Sequence, residues 1–120
     1  MIVGVHHIAV GVDDFGKALD FYTKALGFSI ESEAEFDNVE KVDQAIGLKQ
    51  ARAKTAMLKA GNVFLELWHY SRPEPRDLRS RACDFGYPHF ALQVDDIAVS
   101  YTHLRAHETS LHLVCRLLLE

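Results

Sequence analysis

Two histidines and one glutamate stand out for the company they keep. His7 lies in an apolar, β-branched stretch, Ile2 to Val12, whose side chains alternate between two faces. It shares a face with Val3, Val5 and Ala9, while Ile8 and Val10 take the other. His89 opens a second such stretch, His89 to Asp96, grouped with Ala91 and Gln93 and opposite Phe90 and Leu92. Glu66 alternates with Leu65 and Leu67 among Val63, Phe64 and Trp68, an apolar setting in which an unpaired carboxylate is costly. Two imidazoles and a carboxylate converging on one divalent metal ion would satisfy all three groups, and such ligation suits Zn, Ni, Co, Mn or Fe(II). Taken singly, His7 and His89 also read as hydrogen-bonded strand histidines, and Glu66 as the partner of a lysine or arginine. What favours the metal is that the sequence around the histidines occurs twice.

His7 to Asp14 reads His-Ile-Ala-Val-Gly-Val-Asp-Asp, and 82 residues further on His89 to Asp96 reads His-Phe-Ala-Leu-Gln-Val-Asp-Asp, with five of eight positions identical. A period of this size marks a duplicated supersecondary unit rather than a solenoid. The elements that must position the three residues follow from the pattern. The first strand, Ile2 to Val12, leads to Asp13 or Asp14 as the cap of a helix with apolar positions Phe15, Ala18, Leu19, Tyr22, Ala25 and Leu26, stopped by Gly27. Phe28 to Glu31 reads as a second strand, and Asp37 to Ile46 as a short helical insertion ending at Gly47. Ala53 to Lys59 and Val63 to Tyr70 are strand-like runs around the turn Ala60-Gly61-Asn62. The order is β-α-β-(α)-β-β, an α+β fold. Ser71 to Ala82, with Arg72, Pro73, Pro75, Arg76, Arg79 and Arg81, suits an exposed linker. The expected organisation is a first module over 1–82, the first strand of a second module over 83–98, and a tail over 99–120.

The bulk numbers narrow the classes. A chain of 120 residues, 48% hydrophobic and 25% charged, has room for one globular domain. Its net charge of −4, with basic and acidic residues interleaved, gives no footprint for nucleic acid, so a small-molecule partner is expected. No apolar run reaches the roughly 20 residues needed to span a bilayer, and the opening residues lack the charged leader of a secretory signal. Cys83 and Cys115 form no CxxC pair and no zinc-type spacing, which fits a reducing, cytoplasmic location.

Val5-His6-His7-Ile8-Ala9-Val10, then Asp20-Phe21-Tyr22 and Leu26-Gly27-Phe28, resemble the opening module of the vicinal-oxygen-chelate superfamily, which includes glyoxalases, epimerases and extradiol dioxygenases. Phe64-Leu65-Glu66-Leu67 is similar to that family's last-strand ligand motif, and Tyr87-Pro88-His89-Phe90-Ala91-Leu92 to the opening of its second module. The resemblance covers about the first 98 residues. It implies βαβββ modules paired into a cup around a metal, with the second module truncated here. On that pattern His7, Glu66 and His89 are three of four metal ligands, and the fourth is an acid near position 148 if the repeat keeps its offset. The activity implied is that of a metal-dependent lyase or isomerase of the glyoxalase or epimerase type. It would act on a small vicinal-oxygen substrate through an enediolate, with Glu66 or the missing acid as the catalytic base. A homodimer is also implied. The alternatives are an extradiol dioxygenase, whose iron ligands come from one module, and a metal-free drug-binding protein of the bleomycin-resistance type, which generally lacks the ligand set. The chain as it stands is expected to be inactive and to self-associate through its open sheet edge.

Other residues carry less. His6 is expected to point away from His7, and His69 is out of phase with Glu66. The arginines from Arg72 to Arg81 read as a solvated linker ahead of an anion site, and Trp68 and Phe64 as an apolar wall, with core packing the preferred role for Phe64. His103 and His107, four apart with Glu108 adjacent, have the spacing of a helical metal site. That reading is set aside, because Val99 to Thr109 resembles the translation of a transposase-based sequencing-library adapter. Leu113 to Glu120 is similar to the flow-cell end of the same adapter, in the same frame. A helical appearance is expected of this tail even so, since Leu104, Leu111 and Leu118 fall at helix-compatible spacing.

Overall fold

The computed structural model describes residues 1–86 and 89–107. Tyr87, Pro88 and 108–120 fall outside the described residues, and with them Cys115, Glu108 and the adapter-like end of the tail. The chain divides into two compact units, Met1–Pro75 and Arg76–Glu120, so the boundary falls inside the Arg/Pro-rich segment.

The first unit is a four-stranded sheet with one helix against it. Its elements are β1 (His7–Gly11), α1 (Phe15–Asp20), β2 (Ser29–Asp37), α2 (Glu40–Ile46), β3 (Arg52–Lys59) and β4 (Phe64–Arg72). The strand order is β1-β4-β3-β2. β1 runs parallel to β4, and the β2–β3 and β3–β4 pairs are antiparallel. The fold is the α+β, βαβββ arrangement expected, with α2 inserted between β2 and β3.

The helix forms where the sequence places it. The Asp14 carboxylate accepts from Lys17 N at 3.0 Å, which caps the first turn. After Asp20 the helix widens into a π turn over Phe21–Ala25, and Gly27 ends it with φ +72°, a left-handed conformation that glycine adopts without a Cβ penalty. Ala18, Tyr22 and Ala25 are buried from the helix, and Ala56, Leu58, Leu65 and Leu67 from the strands. That apolar layer occupies the sheet face opposite Glu66.

Two strand lengths differ from the sequence expectation. β1 begins at His7, because β4 begins at Phe64 and the parallel register pairs those two residues; Met1 to Val5 stay exposed. β2 runs on to Asp37, since β3 offers partners along its whole length, with a bulge between Ile30 and Ser32. The β2 alternation is Glu31, Glu33, Glu35 against Ser32, Ala34, Phe36, which lacks the apolar stripe that marks a strand.

The α2–β3 connection is held by a buried carboxylate. Asp43 is 9% exposed, and its two oxygens accept from Gln50 N at 2.9 Å and Ala51 N at 3.0 Å.

In the second unit the described residues contain one helix, α3 (Ile97–His107), and no strand. The strand expected over His89 to Asp96 is therefore corrected: residues 89–94 have no regular structure, because a strand needs a ladder partner and none is present among the described residues of this unit. The helix start carries the same local cap as α1. Asp96 accepts from Val99 N at 3.0 Å, and its carbonyl accepts from Ser100 N at 3.0 Å. Eighty-two residues earlier, Asp14 makes the same pair of bonds to Lys17 N and Ala18 N.

Candidate metal centre

Strand alternation puts His7, Ala9 and Gly11 of β1 on one sheet face with Phe64, Glu66, Trp68 and Tyr70 of β4, Thr55 and Met57 of β3, and Ala34 and Phe36 of β2. The register sets Glu66 between Ala9 and Met57, and Trp68 between Gly11 and Thr55. Small or slender neighbours leave room for the carboxylate and the indole to lie across the strands.

On this face Glu66 Oε1 lies 3.9 Å from His7 Nε2, with the two side chains 19% and 39% exposed. That separation exceeds the roughly 3.2 Å limit of a direct N–H···O bond. It lies within the reach of about 4.2 Å given by a metal–nitrogen and a metal–oxygen bond of about 2.1 Å each. An approach of about half an ångström would bring the two atoms to the spacing of neighbouring ligands in a tetrahedral shell. The chemistry of the donors also fits: an imidazole nitrogen faces a carboxylate oxygen on an otherwise largely apolar surface.

The surroundings bind both groups. The Trp68 indole N–H donates to Glu66 Oε1. Trp68 stacks between Tyr70, with ring centroids 5.3 Å apart, and Phe36 at 6.1 Å. Burial, then the Glu66 charge, raises the Tyr70 phenol above its ordinary value of 10.0. His7 Nδ1 is 2.8 Å from His6 Nδ1, so one of the pair carries the shared proton. His6 stacks on Phe64 at 5.2 Å.

His6 is thus a correction. It precedes β1 and is not bound by strand alternation, so its ring turns to His7 instead of away. His69 behaves as expected, its Nδ1 lying 3.0 Å from the Val12 carbonyl away from Glu66. Trp68, read as a wall, is a hydrogen-bond donor to Glu66 as well; the i, i+2 spacing in a strand was the signal. His89 is exposed, in the second unit. No group of three or more His, Cys, Asp or Glu side chains able to hold a metal comes together among the described residues, so the structure gathers His7 and Glu66 as a pair. Three of the arginines from Arg72 to Arg81 pair with acids: Arg72, which the structure places at the end of β4 and not in the linker, bonds Asp37 at 2.6 Å, Arg79 bonds Asp77, and Arg81 bonds Asp84. Hydrogen bonds from Arg79 hold the Asp77 carboxyl down to about 2. His103 lies on α3 beside Ala98, Val99 and Thr102. No helix of the described residues is long and apolar enough to cross a membrane.

Residues 4–114 match the sequence family described as the Glyoxalase/Bleomycin resistance protein/Dioxygenase superfamily. The chain is 34% identical over 110 residues to the 2-epi-5-epi-valiolone epimerase of Actinomyces sp, covering 87% of this chain and 58% of the epimerase. It therefore spans less than two thirds of that relative. A glyoxalase family protein from Bacillus cereus superposes with a TM-score of 0.79 at 21% identity, over 90% of this chain and 74% of that one. The genomically encoded fosfomycin resistance protein FosX from Listeria monocytogenes, crystallised with Mn(II) and sulfate ion, superposes with a TM-score of 0.58 at 16% identity, over 89% and 73%.

Proposed function

The chain belongs to the Glyoxalase/Bleomycin resistance protein/Dioxygenase superfamily, and from that we propose that it is the first module, with the start of a second, of a metal-dependent lyase or isomerase of the glyoxalase or epimerase type. The observation that carries this reading is the 3.9 Å approach of His7 Nε2 and Glu66 Oε1 on one sheet face. The epimerase relative and the Mn(II) complex of FosX support it.

In this proposal His7, Glu66 and His89 hold a divalent cation, with an acid near position 148 of the parent protein as the fourth ligand. The cation supplies Lewis acidity toward two vicinal oxygens of a small substrate. His7 fixes one edge of the site from β1, and Glu66 supplies from β4 an anionic oxygen able to accept the proton next to the substrate carbonyl. The aromatic row of Phe36, Trp68 and Tyr70 excludes water beside the carboxylate. Segment 99–120 takes no part: its sequence is assigned to adapter read-through, and α3 from Val99 onward to the helix-forming character of that accident. The chain alone is expected to be inactive, its parent protein a cytoplasmic homodimer.

Metal titration tests the ligand reading. Wild-type chain should bind Zn, Ni, Co or Mn, and His7→Ala and Glu66→Gln should each weaken that binding at least tenfold with the fold retained by circular dichroism. Unchanged affinity in the double variant would refute it. A folded full-length parent that takes up no metal would favour the drug-binding alternative.

A further inference from the structure

We propose that Trp68 is a positioning residue of this site: its indole N–H holds the Glu66 oxygen that faces His7. The inference rests on reading His7 and Glu66 as ligands; Trp68 acts through the carboxylate it holds.

Three observations carry it. First, the bond ends on Oε1, the same oxygen that lies 3.9 Å from His7 Nε2. A carboxylate on a two-methylene stem can rotate that oxygen away, and one N–H donor on Oε1 opposes the rotation while leaving a second lone pair for a cation. Second, the donor is itself immobilised. Its ring lies between Phe36 and Tyr70 with interplanar angles of 20° and 11°, and its backbone carbonyl accepts from Val12 N at 2.8 Å. The register pairs Trp68 with Gly11 on one side and Thr55 on the other, so the indole is referenced to three strands. Third, His7 comes from β1 and Glu66 from β4, and Trp68 sits where those strands pair; fixing the indole fixes the carboxylate relative to the imidazole. Partners that orient metal ligands in this way are typically worth about 10- to 100-fold in metal affinity.

Trp68 is the chain's single tryptophan, so its indole N–H resonance has one origin. In metal-free protein that resonance should lie downfield and move upfield in Glu66→Ala. An unmoved resonance overturns the proposal, whatever the metal does. Zn²⁺ titration by calorimetry then separates positioning from packing. Trp68→Phe keeps a ring between Phe36 and Tyr70 but removes the donor. It should weaken Zn²⁺ binding about 10- to 100-fold with little change in the unfolding midpoint, and should have no further effect in a Glu66→Ala background. Wild-type affinity in Trp68→Phe would overturn the positioning role. If wild-type protein binds no Zn²⁺ at all, the ligand reading falls with the affinity claim, and the indole resonance alone decides whether Trp68 holds Glu66.

Discussion

The structure contains two inward carboxylates with different work to do, and replacing each should produce opposite results. Asp43 accepts two backbone N–H groups, from Gln50 and Ala51, and Ala51 is 1% exposed. In Asp43→Ala both bonds are lost, and the Ala51 N–H is left where water does not reach it. A hydrogen bond to a charged acceptor contributes about 1.5–3 kcal/mol, and a buried orphaned donor costs about 1–3 kcal/mol, so with the N–H of the exposed Gln50 regaining water the loss should be roughly 3 kcal/mol. For a unit of this size that corresponds to about 15 °C in Tm. Asp43→Asn keeps one acceptor and should lose about half as much. Glu66→Gln keeps an oxygen for the Trp68 indole and should change stability by less than about 1 kcal/mol, while weakening metal binding at least tenfold. Urea denaturation and metal titration of the same three variants provide the assay. A loss below about 1 kcal/mol in Asp43→Ala, or weakened metal binding in Asp43→Asn, would refute the division of labour between the two carboxylates.

Tyr70 gives the pH dependence. Burial and the Glu66 charge both disfavour the phenolate, so its folded pKa lies above 10.0. The associated stability is fully present below pH 10 and is lost as pH rises through the raised value. Phenolate absorbance, assigned by difference from Tyr70→Phe, should show a midpoint above that of free tyrosine. In Glu66→Gln it should fall only part of the way, because burial is the larger cause. Asp14→Ala removes the cap on Lys17 N and should cost about 1 kcal/mol in denaturant titration; a cost near zero would remove the cap from the account of α1. Resequencing the source locus past codon 98 should read into a helix and three strands with an acid near position 148. Recovery of Val99 to Glu120 from the genome itself would overturn the adapter assignment.

How far the sequence could be read depended on the range of each interaction. The βαβββ order, the Asp14 cap, the Gly27 stop and the β3–β4 hairpin are written in contacts a few residues long, or in alternation that one strand displays alone. The extent of β2 was not legible, since its polar alternation follows from lying at the sheet edge beside β3, a fact of pairing. Asp43 was missed for a related reason: its partners are seven and eight residues away across a loop whose path no periodicity encodes. At the site, His7 and Glu66 were legible as types on faces, because a histidine and a glutamate among apolar neighbours need an explanation. Their approach to 3.9 Å was not, because it depends on the parallel β1–β4 register.

The two copies of the repeated octamer isolate this dependence on range. Each ends in Asp-Asp, and in each the second aspartate makes the same capping bonds to residues three and four further on. Those bonds are closed within one helical turn, so the same residues produce them in either unit. Each octamer also begins with His and continues through an apolar alternation suited to a strand, yet only the first forms one. His7 to Gly11 finds β4, which supplies a ladder partner from Phe64 to Trp68. His89 onward has no strand beside it among the described residues and leaves the ladder unmade. What separates the copies is therefore the partner and not the phrase. A strand histidine acquires its direction from the strand that carries it, and His7 is already aimed at Glu66. His89, on the proposed reading, should acquire its aim only when the second module supplies strands of its own.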